Sequence, residues 1–255
     1  MIKFENTEVV GWEHAIRGMR NPLNSWDKSD SEFIRDPDYG CSGNCPCEDI
    51  DGHCNCCFIG TNDLDLMKRL RNAGTDHRKF MRMITVYVDI TAPLYWWKEF
   101  KTYRAGRKFG DLEPDIIDPE LLEMDIETNS CSTIHKIHEK EFTLDDFSHE
   151  HLFIDEDDYD LTKRMHVSSC QQLLLGIIAV LNASRNKYLE TKDKKYWWQM
   201  IQLLPTSYNQ KRTVMLNYEV LANIYKSRRN HKLDEWKDFC KWIEGLPYSE
   251  LITGE

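Results

Sequence analysis

The sequence lacks any apolar run that is long enough to cross a membrane. Its longest run, from Leu173 to Leu181, is about half the length of the roughly 20 residues that a membrane-spanning helix needs. An export signal is also missing, since the segment from Met1 to Glu5 has the character of a mature start. The sequence therefore predicts a soluble protein located in the cytoplasm of a bacterial or virus-infected cell, with no membrane partner.

The sequence also lacks an excess of positive charge. It carries 33 Lys and Arg residues against 43 Asp and Glu residues, which gives a net charge of -10. A general nucleic-acid binder needs cations to neutralise phosphates, so this balance argues against nucleic acid as a partner. A small anionic ligand is not excluded, because it requires only a local positive pocket.

Ordinary paired C-x2-C zinc motifs are absent, although the chain has nine cysteines. Without an export signal, reduced thiols are favoured over disulfides. Six of the cysteines cluster in one polar segment: Cys41, Cys45, Cys47, Cys54, Cys56 and Cys57. Four thiolates would complete a tetrahedral structural zinc site that stabilises this segment. Free or regulatory thiols and disulfides are the alternatives.

The length of 255 residues predicts a single domain, 1–255, with a Cys-rich insertion at about 36–57 and an acidic insertion at about 106–128. Residues 143–160 are expected to form a solvated surface connection. Apolar periodicity and turn signals predict a strand over 1–10, a strand over 84–91, and helices over 11–20, 61–73, 94–104, 168–187, 196–204, 213–227 and 233–243. The predicted fold is α+β (mixed α/β), with a small central antiparallel sheet packed against long helices in an oligomeric protein.

The predicted strand and helix over 84–104 end in cations and aromatics. The end of this helix carries Lys98, Lys101, Tyr103 and Arg104, which is a plausible arrangement for holding a phosphorylated ligand. The tryptophan pairs at 96–97 and 197–198 are predicted to lie in the core or at an interface, although they could also stack on a flat ring.

Two further segments carry candidate ligand-binding groups. In the turn after the second helix, His77, Arg78 and Lys79 could hold a phosphate, or they could form a solvated basic turn. Small hydroxyls, His135 and Lys136 follow one another over 129–136, where they could bind a phosphate or a pyrimidine. A Ser-His nucleophile pair and a capped helix start are the alternatives for that stretch, and there is no G-x-S-x-G elbow.

Asn217, Asn223 and Arg228 are predicted to lie on one helix. At 100° per residue, Asn223 lies about 120° from Asn217 and Arg228 about 20° from it. These side chains could point into one site, or they could form the solvated side of an amphipathic helix.

Together, these segments resemble the flavin-dependent thymidylate synthase family, in order, over residues 61–104, 129–137 and 204–238. The turn Gly74 to His77 resembles the family's Gly-His-x-Ser-type turn. The helix end at 102–104 resembles its Arg-His-Arg element, and the stretch 130–136 resembles its Ser-rich motif. Leu204-Pro205 opens the last segment, where residues 217–228 match the family's Asn-x-Arg helix in spacing.

The chain differs from the family pattern in four motifs. Glu219 stands where the family has the arginine of Asn-x-Arg, and Glu99 stands where it has a glutamine. Lys136 replaces the arginine of the Ser-rich motif, and Arg104 alone remains of Arg-His-Arg.

The resemblance implies a homotetramer that binds FAD between subunits. Such an enzyme methylates dUMP at C5, with methylenetetrahydrofolate as carbon donor and NADPH as reductant. The residues that the resemblance assigns to FAD are His77, Arg104, Asn217 and Asn223. Those assigned to the nucleotide are Glu99, Ser130, Ser132, His135, Lys136 and Arg228, of which Ser130, Ser132 and Arg228 are the catalytic candidates. A non-catalytic assembly protein that binds a nucleotide or a metal, and a relative that modifies another pyrimidine nucleotide, are the alternatives.

Overall fold

The computed structural model describes residues 2–33, 57–101, 126–154 and 169–254. The strands in these ranges are β1 Lys3–Val10, β2 Glu32–Phe33, β3 Cys57–Phe58, β4 Thr85–Pro93, β5 Glu127–Ser130 and β6 Asn209–Asn217. The helices are α1 Trp12–Arg20, α2 Thr61–Asn72, α3 Leu94–Phe100, α4 Cys170–Thr191, α5 Lys194–Leu203, α6 Tyr218–Arg228, α7 Asp234–Glu244 and α8 Glu250–Thr253. The end of the helix predicted over 94–104 lies partly outside the described residues, as does most of both predicted insertions.

One four-stranded antiparallel sheet organises the fold, with the strand order β1-β4-β6-β5. The prediction of an α+β fold with a small central antiparallel sheet is therefore confirmed. A second, two-stranded sheet pairs β2 with β3 in antiparallel register, with Glu32 opposite Phe58. The strand β5 covers part of the Ser-rich stretch, so the alternative of a capped helix start there is wrong.

The chain divides into two compact units. Unit 1 comprises Met1–Lys3, Ile90–Thr102 and Asn129–Thr213, and unit 2 comprises Phe4–Asp89, Tyr103–Thr128 and Val214–Glu255. In unit 1, the buried side of α4 (Leu174, Ile178 and Leu181) packs with Phe142, Phe147 and Met200. Residues 143–154 were expected to be a solvated connection, but Phe147 is only 1% exposed. A capping box between Thr143 and Asp146 holds a short 3₁₀ turn that directs Phe147 into this core.

In unit 2, the start of α1 requires glycine at position 11. Gly11 has a φ of 96°, and a Cβ atom there would collide with the carbonyl oxygen of Met83. Ala15 and Ile16 of α1 are buried beyond this close approach. The predicted helices at 11–20 and 61–73 are confirmed, although Thr61 is the first helical residue of α2 and not its cap.

The helix predicted over 213–227 is wrong in its first part. Residues Asn209–Asn217 form β6, in which the buried side chains alternate at positions 210, 212, 214 and 216. The helix α6 begins only at Tyr218, because Asn217 caps it: its side-chain oxygen accepts a hydrogen bond of 3.0 Å from the Val220 amide. After α6, the helix α7 confirms the predicted last helix, and the short helix α8, which was not predicted, follows it.

The helix predicted over 168–187 is confirmed as α4, but its apolar side is not continuously buried. Leu173, Leu175 and Val180 are 43%, 39% and 49% exposed. Among the helices that the structure describes, none combines the length and the hydropathy of a membrane span.

Candidate functional site

The basic turn that follows α2 is held by Gly74 in a left-handed conformation, with a φ of 113°. The amides of His77 and Arg78 both donate hydrogen bonds to the Gly74 carbonyl, over 3.1 and 3.2 Å. A 3₁₀ segment, Arg78–Met83, then leads into β4. His77 is exposed at the start of this segment, and Lys79 is exposed beside Asp76. The turn thus presents several donors on a short, ordered backbone.

Arg78 does not point into solvent, because it faces the buried carboxylate of Glu219. The Arg78 Nε atom lies 3.4 Å from Glu219 Oε1, and the Glu219 side chain is 1% exposed. Arg82, one turn further on, donates from Nε to Glu219 Oε2 and from Nη2 to Oε1. Two guanidinium groups therefore share one carboxylate, which leaves a net positive charge at this place. Neither Glu219 nor Arg82 is among the predicted site residues.

The start of α6 lies beside this turn. The Tyr218 amide donates a hydrogen bond of 3.1 Å to the carbonyl of Ile84, the residue that follows the 3₁₀ segment. Asn217 is 7% exposed, and its side-chain oxygen is engaged by the cap described above. The first residues of α6 thus bring the predicted flavin ligand Asn217 close to the basic turn that carries His77. The positive end of the α6 dipole adds to the charge of the arginines.

A third guanidinium, that of Arg71, belongs to the same positive region. Burial is the main cause that lowers the pKa of Arg71, and the charge of Arg78 lowers it further. Arg71 is held in place because its Nε and Nη2 atoms donate to the carbonyls of Leu251 and Ile252, over 3.1 and 3.0 Å. We name Arg71, Arg78, Arg82 and Glu219 the arginine cluster.

The other two polar residues of α6 lie on different sides of the helix. Asn223 is half-buried, and the guanidinium of Arg228 lies 4.9 Å from the centre of the Trp236 ring. Five residues at 100° each separate these side chains by about 140°. The prediction that Asn217, Asn223 and Arg228 lie on one helix is therefore only partly correct. Asn217 caps the helix, and the side chains of Asn223 and Arg228 point in different directions.

In unit 1, the Ser-rich stretch leaves β5 as an ordered loop. The Cys131 amide donates to the Lys211 carbonyl over 3.0 Å, and Ser132 Oγ accepts from the His135 amide over 2.8 Å. Ser130, Ser132 and His135 are all exposed. Lys136 pairs with Glu139, and its hydrogen bond is the main cause that lowers the pKa of Glu139. The predicted nucleotide ligands of this loop are thus accessible, with Lys136 partly neutralised.

The helix α3 contributes two buried tryptophans and one candidate ligand. Trp96 and Trp97 are 0% and 1% exposed, which confirms that this pair belongs to the core. Trp198 of the other pair is 44% exposed. Glu99 is half-buried on α3, and Arg104 lies outside the described residues.

Unit 1 also contains a buried arginine that the sequence analysis missed. Arg212 is 8% exposed, and its guanidinium lies 4.3 Å from the centre of the Trp97 ring. Its Nε and Nη2 atoms both donate to Gln210 Oε1, over 3.0 and 2.8 Å. Burial lowers the pKa of Arg212. The available signal was that Arg212 occupies an inward position of a strand, but residues 205–212 were predicted to form neither a helix nor a strand.

The predicted zinc site stays a prediction. Cys41, Cys45, Cys47, Cys54 and Cys56 lie outside the described residues, and only the backbone of Cys57 lies within them. Within the described ranges there is no group of three or more His, Cys, Asp and Glu residues that could hold a metal ion.

Comparison with known proteins places this geometry in a known fold. No protein-family model matches the chain, and no curated protein sequence matches it. Two solved structures of thymidylate synthase X from Helicobacter pylori, both with FAD and dUMP, are similar to it. The first has a TM-score of 0.58 and 14% identity, over 100% of this chain and 98% of the other. The second has a TM-score of 0.59 and 14% identity, over 99% of this chain and 98% of the other. The chain therefore has the fold of the flavin-dependent thymidylate synthases.

Proposed function

We propose that this protein is a divergent flavin-dependent thymidylate synthase, which methylates dUMP at C5 with methylenetetrahydrofolate, FAD and NADPH. The observation that carries the proposal is the end-to-end likeness to thymidylate synthase X, a protein solved with FAD and dUMP. A fold hosts many functions, so the proposal depends equally on the groups that the chain brings to its site.

The arginine cluster and the start of α6 suit a dinucleotide cofactor. FAD carries a pyrophosphate, which favours guanidinium groups and helix N-termini. The Arg78 Nε atom lies 3.4 Å from Glu219 Oε1 without forming a hydrogen bond to it, so the charge of Arg78 is only partly engaged by that carboxylate. His77 is accessible, and the amide nitrogen of Asn217 is not needed for the cap. These residues, with Asn223 and Arg104, would hold the cofactor, which supplies hydride transfer when bound.

The Ser-rich loop and α3 suit the nucleotide. Ser132 Oγ accepts from backbone amides, so its own hydrogen remains available to donate. Ser130, His135, Lys136, Glu99 and Arg228 are the further candidates, and Ser130, Ser132 and Arg228 the catalytic ones. Their role is to orient the base and to neutralise the phosphate.

We further propose a cytoplasmic homotetramer. The exposed side of α4, with Leu173, Leu175 and Val180, is an apolar surface of the kind that another copy of the chain would cover. A single-domain organisation and a structural zinc on the cysteine cluster complete the proposal.

Two experiments test the function. Purified protein mixed with FAD is expected to retain the flavin absorption bands after gel filtration, and with dUMP, methylenetetrahydrofolate and NADPH it should form dTMP. The gene is expected to let a thymidine-requiring bacterium grow without thymidine. A well-expressed protein that takes up no flavin and gives no growth would contradict the proposal.

Asn217 allows flavin binding to be separated from folding. Asn217→Ala removes the cap and is expected to destabilise the protein by about 1 kcal/mol, measured by urea unfolding. Asn217→Asp keeps an acceptor for the Val220 amide but has no amide nitrogen to donate. We therefore expect Asn217→Asp to keep wild-type stability and to lose about tenfold in FAD affinity, as for a lost hydrogen bond. Unchanged FAD affinity in Asn217→Asp would exclude a role for this nitrogen.

One observation favours a second candidate function. Glu219 replaces the family's arginine, and it engages two of the cations that could otherwise bind a ligand. A non-catalytic protein that binds a nucleotide or a metal, or a relative acting on UMP or dCMP, would tolerate this change. A colourless protein that binds a pyrimidine nucleotide would support the non-catalytic function, whereas flavin uptake with turnover of UMP or dCMP would support the altered substrate.

A further inference from the structure

Arg212 occupies an unusual position for a charged residue. Along β6 the buried residues are Gln210, Arg212, Val214 and Leu216, so Arg212 is on the inward face of the strand, with one polar and two apolar side chains. Burying a guanidinium removes its hydration, which is costly unless a counter-charge replaces the lost water. A counter-charge is therefore expected near Arg212.

The partners of Arg212 in the described part of the chain are neutral. They are the side-chain oxygen of Gln210 and the ring of Trp97, and no carboxylate within the described ranges lies at ion-pair distance from the guanidinium. The Nη1 atom donates to none of the described residues. A stacked ring and a shared amide oxygen stabilise a cation only partly, so the guanidinium keeps unused capacity for an anion.

The neighbours of Arg212 hold it in a fixed position. The Trp97 indole donates to the Gln210 carbonyl over 2.9 Å, and the Gln210 side-chain nitrogen donates to the Cys131 carbonyl over 2.6 Å. The Gln210 amide thus joins the guanidinium directly to the Ser-rich loop. Because these contacts restrict the side chain before any ligand arrives, little conformational entropy is lost on binding.

We propose that Arg212 is an oxyanion-binding residue of unit 1 and that it receives the phosphate of a pyrimidine nucleotide. A phosphate has three acceptor oxygens, which suits a guanidinium together with hydroxyl donors such as those of Ser130 and Ser132 on the adjoining loop. Arg212 then supplies a positive charge beside a loop whose own cation, Lys136, is partly neutralised by Glu139. The nucleotide as the source of the phosphate rests on the proposed function, whereas the oxyanion site itself does not.

The test uses the full-length protein, inorganic phosphate and the variant Arg212→Met. Thermal unfolding is measured in sodium phosphate and in sodium chloride at equal ionic strength. Phosphate is expected to stabilise the wild type, and Arg212→Met is expected to weaken the apparent phosphate affinity about tenfold or more. The Arg212→Met protein is expected to fold without phosphate, because it replaces a buried charge that has no counter-charge with an apolar residue of similar volume. The matched control Lys211→Met, one position along the strand, should change the affinity less than twofold.

A second variant, Arg212→Lys, keeps the test possible if Arg212→Met does not fold. Lysine keeps the charge without the planar fork, so it should retain part of the phosphate affinity. The oxyanion site is overturned if phosphate does not stabilise the wild type, or if it stabilises the wild type and both Arg212 variants equally.

A nucleotide and the corresponding nucleoside identify the source of the phosphate. We expect dUMP to compete with inorganic phosphate for the wild type and deoxyuridine not to compete. Competition by both compounds or by neither would overturn the assignment to a nucleotide. FAD uptake is a separate measurement, which Arg212→Met should leave unchanged, so a protein that binds phosphate through Arg212 but takes up no flavin would contradict only the proposed function.

Discussion

Replacing Glu219 with arginine is expected to destabilise the protein by about 3–5 kcal/mol or to prevent it from folding. The carboxylate is 1% exposed and balances Arg78 and Arg82, so the substitution would bury a guanidinium next to two others. Arg82 is 43% exposed, and water screens part of its repulsion. Arg78 is 23% exposed and is screened less, so most of the effect arises there.

Exchanging the two charges should reverse much of this loss. In the double variant Arg82→Glu with Glu219→Arg, the pair is restored with opposite polarity, and we expect to recover about 2 kcal/mol relative to Glu219→Arg alone. Chemical unfolding of the wild type, both single variants and the double variant gives the coupling energy. As a control, Arg69→Glu changes an exposed arginine of α2 and should give no rescue. If the Glu219→Arg protein is as stable as the wild type, or if the double variant is no more stable than Glu219→Arg, the ion pairs of Glu219 do not stabilise the arginine cluster.

The same exchange bears on function. According to the sequence resemblance, the family has an arginine at the position of Glu219, whereas the cations that face Glu219 here are Arg78 and Arg82 of the 3₁₀ segment before β4. If the arginine cluster binds the cofactor, the double variant moves a cation back to the family's position. FAD uptake by the double variant therefore shows whether FAD binding depends on the position of the positive charge or only on its presence.

Replacing Asp63 with alanine is expected to destabilise the protein by about 3–5 kcal/mol, because it leaves a buried guanidinium without its partner. Asp63 is 0% exposed and Arg20 is 4% exposed, and Arg20 Nε donates to Asp63 Oδ1 over 2.6 Å. Ser29 and Ser31 donate to the other carboxylate oxygen, over 2.6 and 2.7 Å. Urea unfolding measures the loss. The control Asp65→Ala removes an exposed carboxylate of the same helix and should change the stability by less than about 0.5 kcal/mol.

The same contacts predict the acid sensitivity of the protein. Burial acts to raise the pKa of Asp63, but the hydrogen bonds from Ser29, Ser31 and Arg20 and the charge of Arg20 outweigh it, so the pKa is lowered from 3.8. A lowered pKa means that the unfolded chain takes up the proton first. The contribution of Asp63 is therefore complete above pH 3.8 and is lost as the pH falls through the folded-state pKa. Asp63→Asn should lack this part of the acid dependence, and a slope below that pH equal to the wild type's would contradict it.

Local patterns were sufficient to predict several elements. The helices at 11–20 and 61–73 have apolar periodicity and clear end signals, and both form with ends within a residue or two of the prediction. The tryptophans at 96 and 97 are buried as expected, because large aromatics next to a predicted strand seldom stay exposed. In contrast, the segment from Thr213 to Asn217 was mistaken for helix. A short apolar run fits the periodicity of a helix and that of a strand, and only pairing with other strands decides which of the two forms.

The sequence by itself determined where most helices begin and end and that strands and helices share one fold, since these features depend on residues a few positions apart. The tertiary structure alone decided which charges meet. Arg82 and Glu219 are 137 positions apart, and Trp97 lies 113 positions before the Gln210 carbonyl that it contacts. Ionic and hydrogen-bonded partners act over a few ångströms in space, and no local periodicity records which distant segments the sheet brings to that distance.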